Sequence, residues 1–290
     1  MIETYRGTVY RWEVDSNDHL TVAYYFARLA DAEQGLLGAI GLGGGSGRAA
    51  ARHVTTECYV RYQRELRAGD ILHIESGVIG VEREHLRLGH KVIESASGEV
   101  CTTVEQRVRR VNARRRPVPF TPAQRRAAES GRAPWDGAPR EHRPRPAGFE
   151  GFIDAARDTV KAWERDSHGE CALQFYIHRF SAANGHAIAA FGMTPAYMRA
   201  ERRGFSTFEF QLTLDGALRA GDPVRVRSAL LHVGASSIRL LHVMTNERTG
   251  ARVASLEQSG VHLDMDARKS TPLPPALRER ALAILAPPAR

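Results

Sequence analysis

Apolar residues recur along the chain in two patterns, and each pattern predicts one kind of element. Over residues 20–37 they recur every three or four positions, which predicts a helix with one buried face. The residues of that face are Ala23, Phe26, Ala27, Ala30 and Leu37. Other runs, rich in Val, Ile, Leu and Thr, have the length and composition of strands. The predicted strands cover residues 8–14, 54–62, 71–81, 85–93 and 100–111.

The second half of the chain repeats this order. Leu66-Arg-Ala-Gly-Asp70 recurs 152 residues later as Leu218-Arg-Ala-Gly-Asp222, and the same offset pairs His90 with His242. A register that holds without a gap across a whole meander indicates an internal duplication. The second copy is predicted to have a strand at 173–180, a helix at about 187–200, and strands at 207–214, 223–233, 237–245 and 253–263. Each copy therefore predicts one strand, one helix and an antiparallel meander.

The segment between the copies differs in composition. Residues 113–150 are dense in Pro, Arg, Gly and Ala, a composition that cannot bury enough apolar surface to fold alone. We expect a surface linker there, followed by a helix over about 150–165. The predicted organisation is a first repeat at 1–112, the linker, and a second repeat with a C-terminal tail at 151–290.

Composition and charge narrow the function classes. The 290 residues are 42% hydrophobic, enough for two packed cores. The net charge is +8, but much of the excess lies in arginines between residues 107 and 145, interleaved with Pro and Ala instead of aromatic residues. We interpret this segment as a solvated connector, with contact to a phosphorylated small molecule as the alternative; no nucleic-acid partner is expected. No apolar run is long enough for a membrane helix and no signal peptide is evident, so we expect a cytoplasmic protein without a membrane partner.

Two further features predict structure more than chemistry. Cys58, Cys101 and Cys171 lack the spacing of metal ligands, so we expect reduced, structural cysteines, no metal and no other cofactor. The glycine-rich residues 41–47 follow a predicted helix and lack Gly-x-Gly-x-x-Gly spacing, so we expect a mobile loop and not a nucleotide site.

Candidate chemistry is concentrated in front of the first predicted helix. Asp15, Asn17 and His19 alternate along the chain immediately before it. A carboxylate in this position can activate water or attack an acyl carbonyl directly, and a helix N-terminus supplies N–H donors for an oxyanion. Simpler interpretations stay open: Asp15 or Asn17 caps the helix, and His19 is a satisfied, partly buried histidine.

Together, the element order, the duplication and the Asp-x-Asn-x-His motif resemble the hotdog-fold acyl thioesterases, both the 4-hydroxybenzoyl-CoA thioesterase-like and the acyl-ACP thioesterase-like branches. The resemblance implies an α+β fold of two tandem hotdog repeats, each a long helix wrapped by an antiparallel sheet, in a double-hotdog arrangement. It implies hydrolysis of an acyl-CoA or acyl-ACP thioester to free acid and thiol. It places the catalytic carboxylate at Asp15, assigns Asn17 and His19 to the same site, and assigns Tyr25 to substrate binding.

The second copy suggests an asymmetry. We interpret Ala182-Ala-Asn184-Gly-His186 as its version of the motif, with Ala182 where the first copy has Asp15. One catalytic site per chain, in the first repeat, would follow. Two other functions on this fold stay open: an enoyl-thioester hydratase or dehydratase, and a non-catalytic protein that binds acyl thioesters. A homodimer of double hotdogs is also left open.

Overall fold

A computed structural model describes residues 1–43, 51–146 and 148–287. The chain divides into two compact units, Met1–Pro139 and Arg140–Arg290. Residues 44–47 of the glycine-rich stretch lie outside the described residues, so the loop prediction there stays a prediction. Among the helices described, none is long and apolar enough to cross a membrane.

Unit 1 is a long helix packed on a five-stranded antiparallel sheet. In chain order its elements are β1 (Ile2–Thr8), α1 (Val22–Ala39), β2 (Arg52–Tyr62), β3 (Ile71–Val81), β4 (His85–Glu94), β5 (Val100–Val111) and α2 (Pro122–Ser130). The strand order is β1-β3-β4-β5-β2. The predicted helix and the four meander strands are confirmed within two residues at each end. The first strand ends where we expected it to begin, because residues 11–13 form a 3-10 turn.

The buried face of α1 is close to the predicted one. Ala23, Phe26 and Leu37 are at most 1% exposed, whereas Ala30 faces solvent. Leu29 and Leu36 complete the buried face at positions that keep the helical spacing. The buried face of α1 therefore has Ala23 and Phe26 near its start and Leu36 and Leu37 near its end.

Unit 2 has the same layout. Its elements are β6 (Ile153–Thr159), α3 (Leu173–Ala190), α4 (Pro195–Ala200), β7 (Arg203–Leu214), β8 (Pro223–Val233), β9 (Ser237–Asn246), β10 (Arg252–Asp264), β11 (Lys269–Ser270) and α5 (Pro275–Ala283). The strand order is β7-β10-β9-β8-β6, and the short β11 pairs with β10. All neighbouring strands within the unit are antiparallel.

The start of unit 2 corrects three predictions. The helix predicted over 150–165 is wrong, since β6 and a 3-10 turn at residues 162–164 occupy that stretch. The strand predicted at 173–180 is also wrong, because α3 runs from 173 to 190. The helix predicted at 187–200 is divided between the end of α3 and α4, with a break at residues 191–194. The run Leu173-Gln-Phe-Tyr-Ile-His-Arg-Phe180 has strand-like aromatic composition, but its buried residues follow helical spacing. Within the run these are Tyr176, Ile177 and Phe180, and the same spacing continues along α3 to Ala183 and Ala187.

The segment predicted as a bare linker contributes to both units. Phe120 and Ala128 are 4% and 0% exposed and pack with Leu36 and Leu37 of α1. The Arg143 guanidinium contacts both carboxylate oxygens of Glu209, at 2.9 and 3.0 Å. Most of residues 113–150 therefore lie at the surface, but Phe120 and Ala128 pack into the core of unit 1 and Arg143 binds a buried carboxylate of unit 2. The composition of the segment does not report these partners.

Candidate active site

The three motif residues lie in one short loop between the 3-10 turn and α1. Val14 and Leu20 form an isolated antiparallel bridge, which makes residues 15–19 the tip of the loop. At the tip, the Asp15 N–H donates to the His19 carbonyl at 2.8 Å. The structure thus brings Asp15, Asn17 and His19 together as the sequence predicts.

The Asp15 carboxylate is held by the loop itself. Its Oδ1 accepts hydrogen bonds from the backbone N–H groups of Asn17 at 2.8 Å and of His19 at 3.1 Å. The residue is nevertheless exposed. The helix cap is Thr21, so the hypothesis that Asp15 or Asn17 caps α1 is wrong. A carboxylate oriented by two N–H donors and open to water is suited to act as a general base or a nucleophile.

A buried ion pair anchors the start of this loop to α1. The Arg28 guanidinium donates to Glu13 Oε2 at 2.7 Å and to the Thr8 carbonyl at 2.8 Å. The same Glu13 oxygen accepts from the Tyr10 N–H at 2.8 Å. Glu13 and Arg28 are 8% and 4% exposed. Because both charges are paired and hydrogen-bonded, the pair holds the loop in one position against the helix.

The His19 side chain meets a residue that the motif does not contain. Its Nε2 lies 2.8 Å from Glu65 Oε1, and the two side chains are 13% and 30% exposed. The backbone joins the two segments directly, because the Leu20 N–H donates to the Leu66 carbonyl at 2.7 Å. Sequence analysis missed this contact, since Glu65 lies 46 residues after His19 and only the fold brings them together.

Tyr25 lies in the core of unit 1. It is 4% exposed, and its ring meets the Tyr62 ring edge-on with 5.2 Å between centroids. Burial raises the pKa of its hydroxyl well above the ordinary value. The structure therefore gives Tyr25 a packing role, and its assignment to substrate binding stays a prediction.

Cys58 and His90 are built into the sheet of unit 1. Cys58 is 1% exposed, and burial raises the pKa of its thiol; the nearby carboxylates of Glu33 and Glu57 raise that pKa further. A thiol in such surroundings stays protonated, which supports the structural interpretation. His90 is fully buried between the Ser76 hydroxyl at 2.7 Å and Gln106 Oε1 at 3.0 Å, and burial lowers its pKa to about 4.

Unit 2 corrects the interpretation of the second motif. Residues 182–186 lie inside α3, so Ala182 is not the counterpart of Asp15. The counterpart is Asp166, whose Oδ1 accepts from the N–H groups of His168 at 2.8 Å and Glu170 at 2.9 Å. Its own N–H donates to the Glu170 carbonyl at 2.7 Å, as Asp15 does to His19.

A sequence signal for this equivalence existed. Trp12-Glu-Val-Asp-Ser16 recurs as Trp163-Glu-Arg-Asp-Ser167 at an offset of 151, one less than the offset of the meander. Unit 2 has one additional residue between its helix and its meander. The offset of the meander therefore does not align Asp166 with Asp15, and the match was missed. Unit 2 therefore keeps the carboxylate, with His168 in place of Asn17 and Glu170 in place of His19.

Comparison with known proteins gives a family and named relatives. The model of the thioesterase-like superfamily matches residues 9–128 and 160–281. An L-carnitine dehydrogenase/betainyl-CoA thioesterase from Agrobacterium fabrum is 32% identical over 130 residues, covering 44% of this chain and 27% of that protein. A betainyl-CoA thioesterase from Pseudomonas aeruginosa is 29% identical over 108 residues, covering 37% of this chain and 67% of that protein. The chain thus spans only about a quarter of the first relative.

A solved structure confirms the fold. An acyl-ACP thioesterase from Bacteroides thetaiotaomicron superposes with a TM-score of 0.67 at 13% sequence identity, covering 89% of this chain and 96% of that one. At this identity the likeness shows the fold alone. The α+β prediction of two tandem hotdog repeats is confirmed.

Proposed function

This chain belongs to the thioesterase-like superfamily, and on that premise we propose that it hydrolyses an acyl thioester to the free acid and thiol. The observation that carries the proposal is the Asp15 carboxylate, held by two backbone N–H groups and exposed immediately before α1. We favour a CoA thioester, because the relatives matched in sequence are named for a CoA substrate. An acyl-ACP thioester is the second choice.

The proposed reaction needs few groups. The Asp15 carboxylate removes a proton from water as the water attacks the thioester carbonyl, or attacks that carbonyl itself and is later released by water. N–H groups at the start of α1, which begins at Val22, stabilise the oxyanion. The carbon–sulfur bond then breaks and the thiolate leaves, taking up the proton. Because a thiolate is a good leaving group, Asn17 and His19 assist and need not perform the main proton transfer.

We place the chemistry in the first repeat, as we did from the sequence. The earlier reason, Ala182 in place of Asp15, no longer applies, and a different one takes its place. Unit 2 keeps the carboxylate as Asp166 but has neither the His19 imidazole nor the Glu65 carboxylate, since Glu170 and Ala217 occupy those positions. A hydratase is less well supported. The Asn184-Gly-His186 stretch of the second copy, which would supply its histidine, lies within α3 and not in the loop before that helix.

The two equivalent aspartates provide the test. Purified protein is assayed for thiol release from a panel that includes betainyl-CoA, straight-chain acyl-CoAs and acyl-ACP. We expect Asp15→Asn to lower turnover of the best substrate by at least ~100-fold, as for loss of a general base. The matched Asp166→Asn variant should keep wild-type turnover.

Three results would reject the proposal. Folded wild-type protein that releases no thiol from any substrate would indicate a binding protein. Addition of water to an enoyl-CoA without thiol release would indicate a hydratase. Unchanged turnover in folded Asp15→Asn protein would remove Asp15 from the mechanism.

Location and assembly are further parts of the proposal. The three cysteines are buried and unpaired, as expected in a reducing compartment such as the cytoplasm. A homodimer of double hotdogs is our proposal for assembly, and sedimentation equilibrium of the purified chain tests it through the measured mass.

A further inference from the structure

We propose that one end of the sheet of unit 1 is a docking surface for an acidic protein, formed by five arginines that the fold gathers from separate segments. We call these residues the arginine patch. They are Arg83 in the turn between β3 and β4, Arg110 near the end of β5, and Arg114, Arg115 and Arg116 in the turn that follows β5. Arg83, Arg114 and Arg116 are exposed, and the other two are half-buried.

Backbone hydrogen bonds bring the segments of the patch together. After the turn that follows β5, the chain returns along the strand, and the Val118 N–H donates to the Arg110 carbonyl at 2.9 Å. Two residues later, the Phe120 N–H donates to the Arg83 carbonyl at 3.1 Å. The end of β5, the returning segment and the turn between β3 and β4 therefore lie side by side.

The turn after β5 has a fixed backbone. Its first residue, Asn112, accepts hydrogen bonds on Oδ1 from the N–H groups of Arg114 at 3.0 Å and Arg116 at 3.1 Å. The Asn112 N–H in turn donates to the Arg116 carbonyl at 3.0 Å. Three consecutive arginines are thus held on one small turn, so a partner that binds them does not have to order a flexible backbone.

The patch lacks the carboxylate partners that arginines elsewhere in the chain have. In the described part of the chain, four of its five arginines, all but Arg115, form no ion pair with a carboxylate. Glu82, next to Arg83 in the sequence, pairs instead with Arg107 outside the patch, at 2.5 Å. Like charges held close together without a counter-charge repel each other, so the patch costs stability unless an acidic partner covers it.

Unit 2 shows that the fold does not require this cluster. Ala235 occupies the position of Arg83. The turn that follows the equivalent strand begins with Asp264 and contains Asp266, which accepts from the Arg202 side chain at 2.8 Å. The same hairpin and turn therefore form with acidic residues and an internal ion pair, and the unpaired arginines are a property of unit 1 alone.

The patch lies far from the Asp15 loop. The Gln63 N–H donates to the Cys101 carbonyl at 2.8 Å, which places the start of β5 beside the segment that contacts this loop. At the usual rise of a strand, β5 from Thr102 to Val111 spans about 30 Å. The occupant of the patch is therefore not the reacting end of an acyl thioester, and the proposal does not depend on hydrolysis.

The surroundings of the patch favour a protein over other polyanions. Phe120 is the one aromatic residue in the segments that form it, and at 4% exposure it offers no ring on which bases of a nucleic acid could stack. Among the described residues, no large apolar side chain between residues 72 and 148 is exposed, so the apolar contact of a membrane-surface protein is missing. Guanidinium groups pair with carboxylates in bidentate geometry, and a cluster of Asp and Glu on a partner supplies these.

The first experiment measures binding of the whole chain to a fluorescein-labelled oligo-glutamate peptide by fluorescence anisotropy. At an ionic strength of about 50 mM, we expect Arg114→Glu/Arg116→Glu to weaken binding by ~10-fold or more. The matched control, Arg199→Glu/Arg219→Glu, reverses two exposed arginines of unit 2 and changes the net charge equally. It should keep the wild-type affinity within about twofold, because these charges lie outside the patch.

A milder variant guards against loss of folding. Arg114→Gln/Arg116→Gln removes the two charges without reversing them and should weaken peptide binding by about threefold. Thermal unfolding of each variant confirms that it is folded.

The second experiment compares other occupants at the same ionic strength. A thymidine oligonucleotide with the charge of the peptide, phosphatidylglycerol vesicles and free CoA are each tested for binding to wild-type protein and to Arg114→Glu/Arg116→Glu. We expect the difference between the two proteins to be largest for the peptide. Free CoA should displace the bound peptide no better than sodium chloride of equal ionic strength.

Three results would overturn the proposal. Wild-type protein that does not bind the peptide would leave the patch without an acidic partner. Equal losses of affinity in the patch variant and in its control would show that the peptide responds to net charge alone. A larger patch-dependent effect for the oligonucleotide, the vesicles or CoA would assign the patch to phosphate groups. None of these measurements uses thiol release, so they stand apart from the test of the proposed function.

Discussion

The two units form the same loop in front of their helices but supply it with different side chains. In both, an aspartate accepts two backbone N–H bonds, at 2.8–3.1 Å in unit 1 and 2.8–2.9 Å in unit 2. Both loops are anchored by a buried pair, Glu13 with Arg28 and Glu164 with Arg179, at 2.7 and 2.6 Å. Because both units share it, the anchored backbone of the loop is a property of the fold. The chemistry depends on the few residues that the loop presents.

The sheets of the two units differ as well. Glu57 in β2 and Glu209 in β7 are equivalent, but the Glu57 side chain is 33% exposed whereas that of Glu209 is 1% exposed. In unit 2, Arg143 from the segment before β6 binds both Glu209 and Glu257. The inter-repeat segment therefore neutralises two buried carboxylates in unit 2.

The largest effect we expect comes from removing that arginine. Arg143→Met leaves the carboxylates of Glu209 and Glu257 buried with fewer cations, and should lower the free energy of unfolding by about 3–5 kcal/mol. Denaturant unfolding at pH 7 measures it. Arg107→Met removes the arginine of unit 1 that pairs with Glu57 and with Glu82, which are 33% and 40% exposed, and should cost no more than about 1 kcal/mol. Equal losses would contradict the difference between the sheets.

A second difference lies under the helices. Glu33 of α1 is 6% exposed and accepts from the Gln106 side-chain amide, which also contacts Thr55 at 2.7 Å. Burial raises the pKa of Glu33 from 4.5 to about 7. Its equivalent in α3 is Asn184, a neutral residue whose side-chain oxygen has no hydrogen-bond partner in the described part of the chain.

The raised pKa predicts the sign of a pH effect. A carboxyl that holds its proton more tightly when folded contributes full stability below about pH 4.5, and that contribution is lost as pH rises to about 7. At pH 8 we expect Glu33→Gln to be more stable than wild type by on the order of 3 kcal/mol, and the difference should vanish near pH 4.

Denaturant unfolding of both proteins across this range is the measurement. Taking the difference between them cancels the opposite contributions of buried His90 and His242, whose pKa values burial lowers to about 4. A difference that does not change with pH would show that the pKa of Glu33 is the same in the folded and unfolded protein, and would contradict the raised value.

The smallest effect we expect concerns the two aspartates. In Asp15→Asn and in Asp166→Asn, the amide oxygen can still accept the same two N–H bonds, so each variant should lose less than about 1 kcal/mol of unfolding free energy. Thermal and denaturant unfolding should give equal small losses, although only the first variant is expected to lose activity. A much larger loss in Asp15→Asn would mean that its activity loss reflects unfolding.

Much of the architecture was readable from local patterns. The helical spacing of Ala23, Phe26 and Leu37, the repeated Leu-Arg-Ala-Gly-Asp motif and the strand-like runs of the meander each depend on neighbours within a few residues. The spacing of Asp15, Asn17 and His19 likewise predicted one loop, because residues this close in the chain cannot lie far apart. These features survive in the structure because packing reinforces them.

Other predictions failed where local composition and tertiary contacts disagree. The aromatic start of α3 resembles a strand, yet its helical spacing fits the buried face that the sheet offers. The arginine-rich segment has the composition of a surface linker, yet Arg143 binds Glu209 and Glu257, which follow it by 66 and 114 residues. One additional residue in unit 2 changes the offset between the repeats, so Asp166 was not matched with Asp15 and the second carboxylate was overlooked.

By itself, then, the sequence determined the duplicated α+β architecture and the loop that carries Asp15, because periodicity and short spacings act locally. The tertiary structure decided which residues meet that loop. Glu65 reaches His19, Arg143 reaches Glu209 and Gln106 reaches Glu33 only because the antiparallel strands and the packed helix bring distant segments within hydrogen-bonding distance. Side-chain contacts between such segments depend on the register of the sheet and the position of the helix, which no local pattern specifies.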